Sequence, residues 1–406
     1  MNQARCQIHR QTKAIQEVPG YCTGVSLHSH THHSKENLDF LPHYINYHQI
    51  PVVSQLVRSE SKRYQERSGK TIDFQQAYWV PPMSASFVLA SEQRQIEEKL
   101  GLAAVVSITD HDSIGAPLEL REKHAIATMP VSVEWSIPFA GNVFHLGIHQ
   151  LPPDRAPLLM QQMATYTAQP SEPSLCDLLA VLDSFPETLI VLNHPFCNFV
   201  RVPAGQHRSS LQQFLTRCRQ WVHAVELNGM RPWKENQMVP GLAEEYGLPM
   251  VAGGDRHGSR PNTMLNLTQA ATMSEFVEDI REHQRNYILV LPEYEEPVCM
   301  RELATAADVL RRYPHNPPGT RRFTDRVFAN VQGYSWHPLS FYWDGGSGCP
   351  RWLPPIIGTV VALGGNKSRA VIRKLLMLSG EYERAGKSTH EYGSEAGADN
   401  MGFYPR

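Results

Sequence analysis

The 406-residue sequence lacks any apolar run close to the roughly 20 residues a bilayer crossing needs. Met1 to Gly20 carries charges but no apolar segment of the secretory kind, so no signal peptide is expected. An excess of charge of one sign is also missing. Lys and Arg number 38 and Asp and Glu 40, for a formal net charge of −2. That excludes a chain-wide basic field for nucleic acid or anionic membrane, though not a local patch. Paired cysteines are absent as well. Cys6, Cys22, Cys176, Cys197, Cys218, Cys299 and Cys349 are scattered, odd in number and form no CxxC. This argues against a disulfide framework or thiolate zinc site and favours a reducing, cytoplasmic setting. There is no GxGxxG turn, no GxSxG elbow and no context for a nucleophilic cysteine, which disfavours dinucleotide binding and covalent catalysis. What the chain does have is 41% hydrophobic residues, enough for a real core, and 19 histidines, several of them clustered.

The length suits two or three domains of about 150 residues, or one α/β barrel of roughly 250 with decorations. From about Thr23 to Leu291, short β-rich runs alternate with helical patterns. Expected strands are Val25–Ser29, Ala103–Thr109, Val131–Trp135, Asn142–Gly147, Thr188–Leu192, Val222–Leu227, Pro249–Ala252 and Tyr287–Leu291. Expected helices are Ser84–Leu100, Ser174–Phe185, Ser209–Cys218, Lys234–Tyr246 and Ser274–His283. Ser84, Ser174 and Ser274 stand where an N-cap belongs, Gly101 and Gly247 where a C-cap belongs. Such alternation implies a parallel sheet, and the strand count favours a closed barrel. The expected divisions are an N-terminal arm (1–22), a barrel (23–291), a long insertion after its first strand (35–83), a helical, aromatic-rich C-terminal extension (292–385) and a flexible tail (386–406). A loop as long as 35–83 reads as a lid or substrate-selecting wall, with Tyr44, Tyr47, His43, His48, Arg58 and Arg63, or as surface decoration.

Chemistry gathers at five strand ends. His28 and His30, at i and i+2, point to one face and can aim at one metal. In Thr109-Asp110-His111-Asp112 a buried strand ends in a His between acids. Asp110 or Asp112 could fix the tautomer of a ligating imidazole. Glu134 is a lone carboxylate among apolar neighbours, and needs a cation, a metal or an Arg, to be buried. His194 closes another hydrophobic strand. Asp255 and His257 repeat the i, i+2 geometry, beside Gly253 and Gly254, which let backbone approach closely. Five imidazoles and two carboxylates suit zinc, manganese or iron and do not suit calcium or magnesium alone.

The pattern HSH…TDHD…VEWS…NHP…GGDRH resembles the polymerase and histidinol phosphatase (PHP) family of metal-dependent phosphoesterases. Ala224-Val225-Glu226-Leu227-Asn228-Gly229 and Tyr246-Gly247-Leu248-Pro249 also resemble its later half. The likeness covers roughly 24–34 and 102–290. It implies a distorted seven-stranded β/α barrel with two or three divalent metal ions at its C-terminal rim. Their ligands would be His28, His30, His111, Glu134, His194, Asp255 and His257, with Glu134 bridging and Glu134, His194 and Asp255 carrying the chemistry. Where family members often have a further His or Asp, this chain has Lys35, which cannot ligate while protonated. His32, His33, Glu36 or Asp39 could substitute. His145 matches a family position near the substrate.

The chemistry expected is hydrolysis of a phosphate ester by a metal-bridged hydroxide. Two metals bring about +4 against about −3 from Glu134, Asp255 and hydroxide, which favours an anionic substrate. Arg256 and Arg201 could contact phosphate. A small phosphomonoester is preferred over a diester. Competing readings are a nuclease or proofreading module, disfavoured by the charge balance, and a non-catalytic metal-dependent binding protein. The C-terminal aromatics are expected to pack on the barrel or a second subunit of a homo-oligomer.

Overall fold

The structure, a computed structural model, describes residues 6–11, 20–37, 51–331, 336–342 and 349–378. The expected tail, Asp39, His43, Tyr44, Tyr47 and His48 lie outside them. The fold is α/β. Strands in chain order are β1 (Cys6–Arg10), β2 (Thr23–Ser29), β3 (Glu36–Asn37), β4 (Ile72–Trp79), β5 (Ala103–Val106), β6 (Val131–Phe139) and β7 (Asn142–Leu151). They continue with β8 (Leu189–Asn193), β9 (Ala224–Asn228), β10 (Met250–Arg256), β11 (Met264–Thr268), β12 (Asn286–Val290), β13 (Val327–Val331) and β14 (His337–Pro338). A large, mostly parallel sheet runs β1-β12-β11-β2-β10-β9-β8-β7-β6, and β5 pairs with β2. No helix among the described residues is long and apolar enough to cross a membrane.

The sheet is not parallel throughout, as the alternation had implied. β6, β7 and β8 run antiparallel, and β11 is antiparallel to both β2 and β12. The reason is local. β6 extends past Trp135 to Phe139, leaving only Ala140 and Gly141 before β7, and both have positive φ (47° and 73°). A two-residue turn of that kind joins antiparallel strands only. β1 and β11 were not anticipated, and β1 adds residues of the expected arm to the sheet edge beside β12. Two N-caps also shift. The Glu172–Asp183 helix is capped by Ser171 and the Met273–Arg281 helix by Thr272, each accepting a backbone N–H. The helix expected at Lys234–Tyr246 divides into Trp233–Asn236 and Val239–Tyr246, with Pro240 in the first turn of the second.

Helices cover the sheet because each has one apolar face. Met273–Arg281 buries Met273, Phe276, Val277 and Ile280, at i, i+3, i+4 and i+7, against Val25, Leu27 and Val191. A side chain of this size contributes about 1.5–3 kcal/mol by leaving water. The segment following β2 and the C-terminal extension share a second sheet, in the order β14-β13-β4-β3.

The parallel pairings put the C-terminal ends of β2, β5, β8, β9 and β10 at one edge. Beyond β5 the chain stays extended. Ser107 and Thr109 donate to the carbonyls of Ser26 and Ser29, and Asp112 donates to the carbonyl of Glu134. An isolated parallel bridge joins His111 to Glu134. Residues 103–112 therefore connect β2 on one side to β6 on the other.

One structural histidine locks the sheet to a helix. His223 accepts the Ile190 N–H at Nδ1 (2.9 Å) and donates from Nε2 to Asp183 (2.7 Å). Burial, opposed by Asp183 and aided by Arg281, lowers its pKa to about 4. The folded value lies below the unfolded value of about 6.5, so the stabilisation is present above pH 6.5 and is lost as pH falls through 6.5 toward 4. Its ceiling is about 3 kcal/mol. Denaturant titrations at pH 7 and pH 4.5 should show that His223→Gln flattens this part of the acid loss. Equal acid sensitivity in the variant would contradict the assignment.

Candidate metal centre

The expected ligands meet at the shared strand edge. Glu134 divides the site. Its Oε2 lies 3.0 Å from His28 Nε2, 3.3 Å from His30 Nε2 and 3.2 Å from His111 Nε2. Its Oε1 lies 3.0 Å from His194 Nε2 and 3.3 Å from His145 Nδ1. Asp255 Oδ1 is 3.3 Å from His30 Nε2 and 3.7 Å from His28 Nε2. His257 reaches the same group through Glu36, with Nε2 at 3.1 Å from Oε2. Glu36 also faces His111 at 3.5 Å.

Tautomers decide what these contacts are. His28 Nδ1 lies 2.6 Å from the Glu226 carboxylate, which can only accept, so the proton sits on Nδ1. His257 Nδ1 likewise donates to the Asp255 carbonyl (2.9 Å). Ser34 Oγ gives its proton to Glu36 (2.6 Å), and therefore accepts from His30 Nδ1 (3.3 Å). With Nδ1 so engaged, Nε2 is the nitrogen each ring turns toward a carboxylate oxygen, and in the neutral ring it is the one free to bind a metal. His28 Nε2, His30 Nε2, Glu134 Oε2, His145 Nδ1 and His194 Nδ1 are buried without a hydrogen-bond partner. An imidazole nitrogen facing a carboxylate oxygen in a buried site needs a cation between them, a proton or a metal ion. Two of the sets whose donor atoms lie mutually within 4.8 Å are His30, Glu36, His111 and His257, and His28, His30 and Glu134.

Electrostatics point the same way. Burial alone would raise the Glu134 carboxyl, but His28, His111 and His145 outweigh it and hold it well below the usual range. Burial would also lower His257, yet Glu36 and Asp255 lift it to about 9. Burial does prevail at His111, which falls to about 4. The carboxylates therefore create a field that draws positive charge. Three site residues also hold positive φ, His28 (65°), His194 (27°) and Asp255 (53°). Non-glycine residues hold such angles at a cost of order 1–3 kcal/mol, and they cluster at functional sites.

Some expected roles are placed elsewhere. Asp110 accepts from the Thr31 N–H and hydroxyl, and Asp112 accepts from the Ser136 N–H, so neither orients an imidazole. Glu226 does that for His28. Arg256 is buried, and its guanidinium binds Glu92 (2.5 Å) and the Gly258 carbonyl (2.7 Å). Arg201 is exposed, with φ of 57°. His145 faces Glu134 and stacks on Phe199 at 4.3 Å. Lys35 points its ammonium at the Tyr78 ring (5.5 Å), and the next residue, Glu36, turns inward instead. Glu226 had no assigned role, although it carries the same signal as Glu134, a lone carboxylate between apolar strand neighbours.

No protein-family model and no curated protein matches the chain. Among solved structures it is similar to an amidohydrolase from Chromobacterium violaceum (13% identity, TM-score 0.31, covering 44% of this chain and 83% of that one). It is also similar to PsfC from Pseudomonas syringae (13%, TM-score 0.38, 55% and 90%). A third is a protein described as a metal-dependent phosphoesterase from Bifidobacterium adolescentis (13%, TM-score 0.29, 49% and 91%).

Proposed function

We propose that this chain is a metal-dependent hydrolase of PHP type that cleaves a small phosphate ester, a monoester in preference to a diester. The carrying observation is the convergence of Nε2 of His28, His30 and His257 on carboxylate oxygens, each ring held in orientation by a hydrogen bond at Nδ1. The bridge between His111 and Glu134 supports a distorted barrel of seven strands, β2 and β5 to β10, as its frame. His28, His30, His111, Glu134, His194, Asp255 and His257 would hold two or three divalent ions, zinc, manganese or iron, with Glu36 in the place that Lys35 cannot fill.

When bound, such ions supply an activated water and a positive clamp for phosphoryl oxygens. The chain's own residues do the rest. Glu134 presents one oxygen to each half of the cluster and sets the spacing between them. Asp255, more accessible than Glu134, would accept a proton from attacking water. His145 and His194, packed on Phe199, form the wall the ester would meet. A cavity of about 520 Å³ beside His257 has the size of a small-molecule site, and its wall holds Arg260 and Arg369, both paired with Glu296, together with Arg373. It would take the remainder of an anionic substrate.

The test is phosphate release from p-nitrophenyl phosphate, bis(p-nitrophenyl) phosphate and a panel of phosphomonoesters. The chain is stripped with chelator, then reloaded with Zn²⁺, Mn²⁺ or Fe²⁺. Hydrolysis that returns with metal and favours monoesters is the expected result. Inactivity of every loaded form on the whole panel would remove the reading.

A further inference from the structure

A second histidine pair lies outside the cluster just described. Ser34 N–H donates to the Thr31 carbonyl (2.9 Å), closing a turn with His32 and His33 at its corners. Their rings lie 4.3 Å apart, centroid to centroid. Glu119, on the Gly115–Lys123 helix, faces both, with Oε2 at 2.7 Å from His33 Nε2 and 3.8 Å from His32 Nε2. All three residues are part-exposed, and none is among the ligands of the buried cluster.

Three details make this more than a surface ion pair. First, His32 Nδ1 meets the Met83 carbonyl at 3.3 Å. A carbonyl only accepts, so the proton sits on Nδ1 and Nε2 is left as a lone pair toward Glu119. Second, Glu119 divides its oxygens. Oε1 lies 3.9 Å from Lys123, one turn on, and Oε2 is left to the two imidazoles. Third, Gly115 lies one turn before Glu119 on the same helix face. A Cβ there would come within 2.5 Å of His33 Nδ1, so the bare glycine makes room for the ring.

We propose that His32, His33 and Glu119 form an additional divalent-metal site, separate from the buried cluster and suited to zinc. Two imidazoles and one carboxylate, with water as the fourth ligand, are a zinc donor set. At ligand distances near 2.05 Å, tetrahedral geometry puts donor atoms about 3.3 Å apart. The 2.7 Å and 3.8 Å separations thus need adjustments of about half an ångström each, within reach of part-exposed side chains. The ion would tie the turn after β2 to the Gly115–Lys123 helix. It would hold in place the two segments that supply His30, Glu36 and His111 to the rim.

The experiment counts metal on the full chain. Wild type, Glu119→Gln and His33→Asn are stripped, titrated with Zn²⁺ and analysed by elemental analysis and calorimetry. Wild type should bind one more zinc ion per chain than either variant. Gly115→Ala keeps all three ligands but crowds His33, and should bind that ion at least about tenfold more weakly. Identical stoichiometry and affinity in all four proteins would overturn the site. The count does not depend on hydrolysis, so loss of the phosphoesterase reading would leave it standing.

Discussion

Glu134→Gln is expected to lower turnover by at least about 10³-fold, with the fold retained. The carboxylate is fully buried and has five imidazole nitrogens within 3.3 Å, three on one oxygen and two on the other. An amide of the same shape supplies no charge, and its NH₂ would present protons where a ligand oxygen stood. Metal-ion stabilisation of a transition state is worth several kcal/mol, and each 1.36 kcal/mol is a factor of ten. The measurement is kcat on the preferred ester at saturating metal, with metal content determined on the same sample. A loss below tenfold with full metal occupancy would show that Glu134 does not join the two halves. Because the variant keeps side-chain volume, its thermal midpoint should stay close to that of the wild-type protein without metal.

The seven positions that meet at the shared edge were readable because chemistry and secondary structure coincide at them. Six of them are His or Asp at or just past the end of an apolar strand, and parallel strands deliver their ends to one edge, whereas Glu134 sits mid-strand in β6 and joins them through its bridge to His111. Glu36 was one of several candidates, because its position depends on a tight turn at 31–34 that no strand pattern announces. Ser34 settles it by accepting the His111 N–H while donating to Glu36. Arg256 misled for the opposite reason. It directly follows Asp255, but neighbours on a strand face opposite sides, so its guanidinium enters the core and meets Glu92. The antiparallel β6–β8 stretch was hidden by the early end assigned to β6. Ser136 and Pro138 lower the apparent strand propensity, although Ile137 is fully buried beside them. The pairing of β4 with β13 joins residues some 250 apart in sequence, and only tertiary packing specifies it.

Gly253→Ala should cost both stability and metal, and it tests the carboxylate that orients His28. A Cβ at Gly253 would stand 1.7 Å from Glu226 Oε1 and 2.9 Å from His28 Cβ. The Glu226 carboxylate cannot swing aside freely. It accepts from His28 Nδ1 (2.6 Å), the His194 N–H (2.8 Å) and Asn228 Nδ2 (2.9 Å). Overpacking of this kind costs about 1–3 kcal/mol, and a broken hydrogen bond to a charged group about 1.5–3 more. A thermal midpoint lower by roughly 5–10 °C follows for a domain of this size. Metal affinity should fall at least about 10–100-fold, because His28 loses the partner that holds its proton on Nδ1, orients the ring and raises the basicity of Nε2. Glu226→Ala separates the two effects. On its own it should weaken metal binding to a similar degree, without the steric overlap. Combined with Gly253→Ala, it opens the space that the new methyl needs, so the double variant should be more stable than the sum of the singles predicts. Metal affinity should not return with that stability. If the double variant regained both, Gly253 would matter for packing alone, and the tautomer of His28 would need another source.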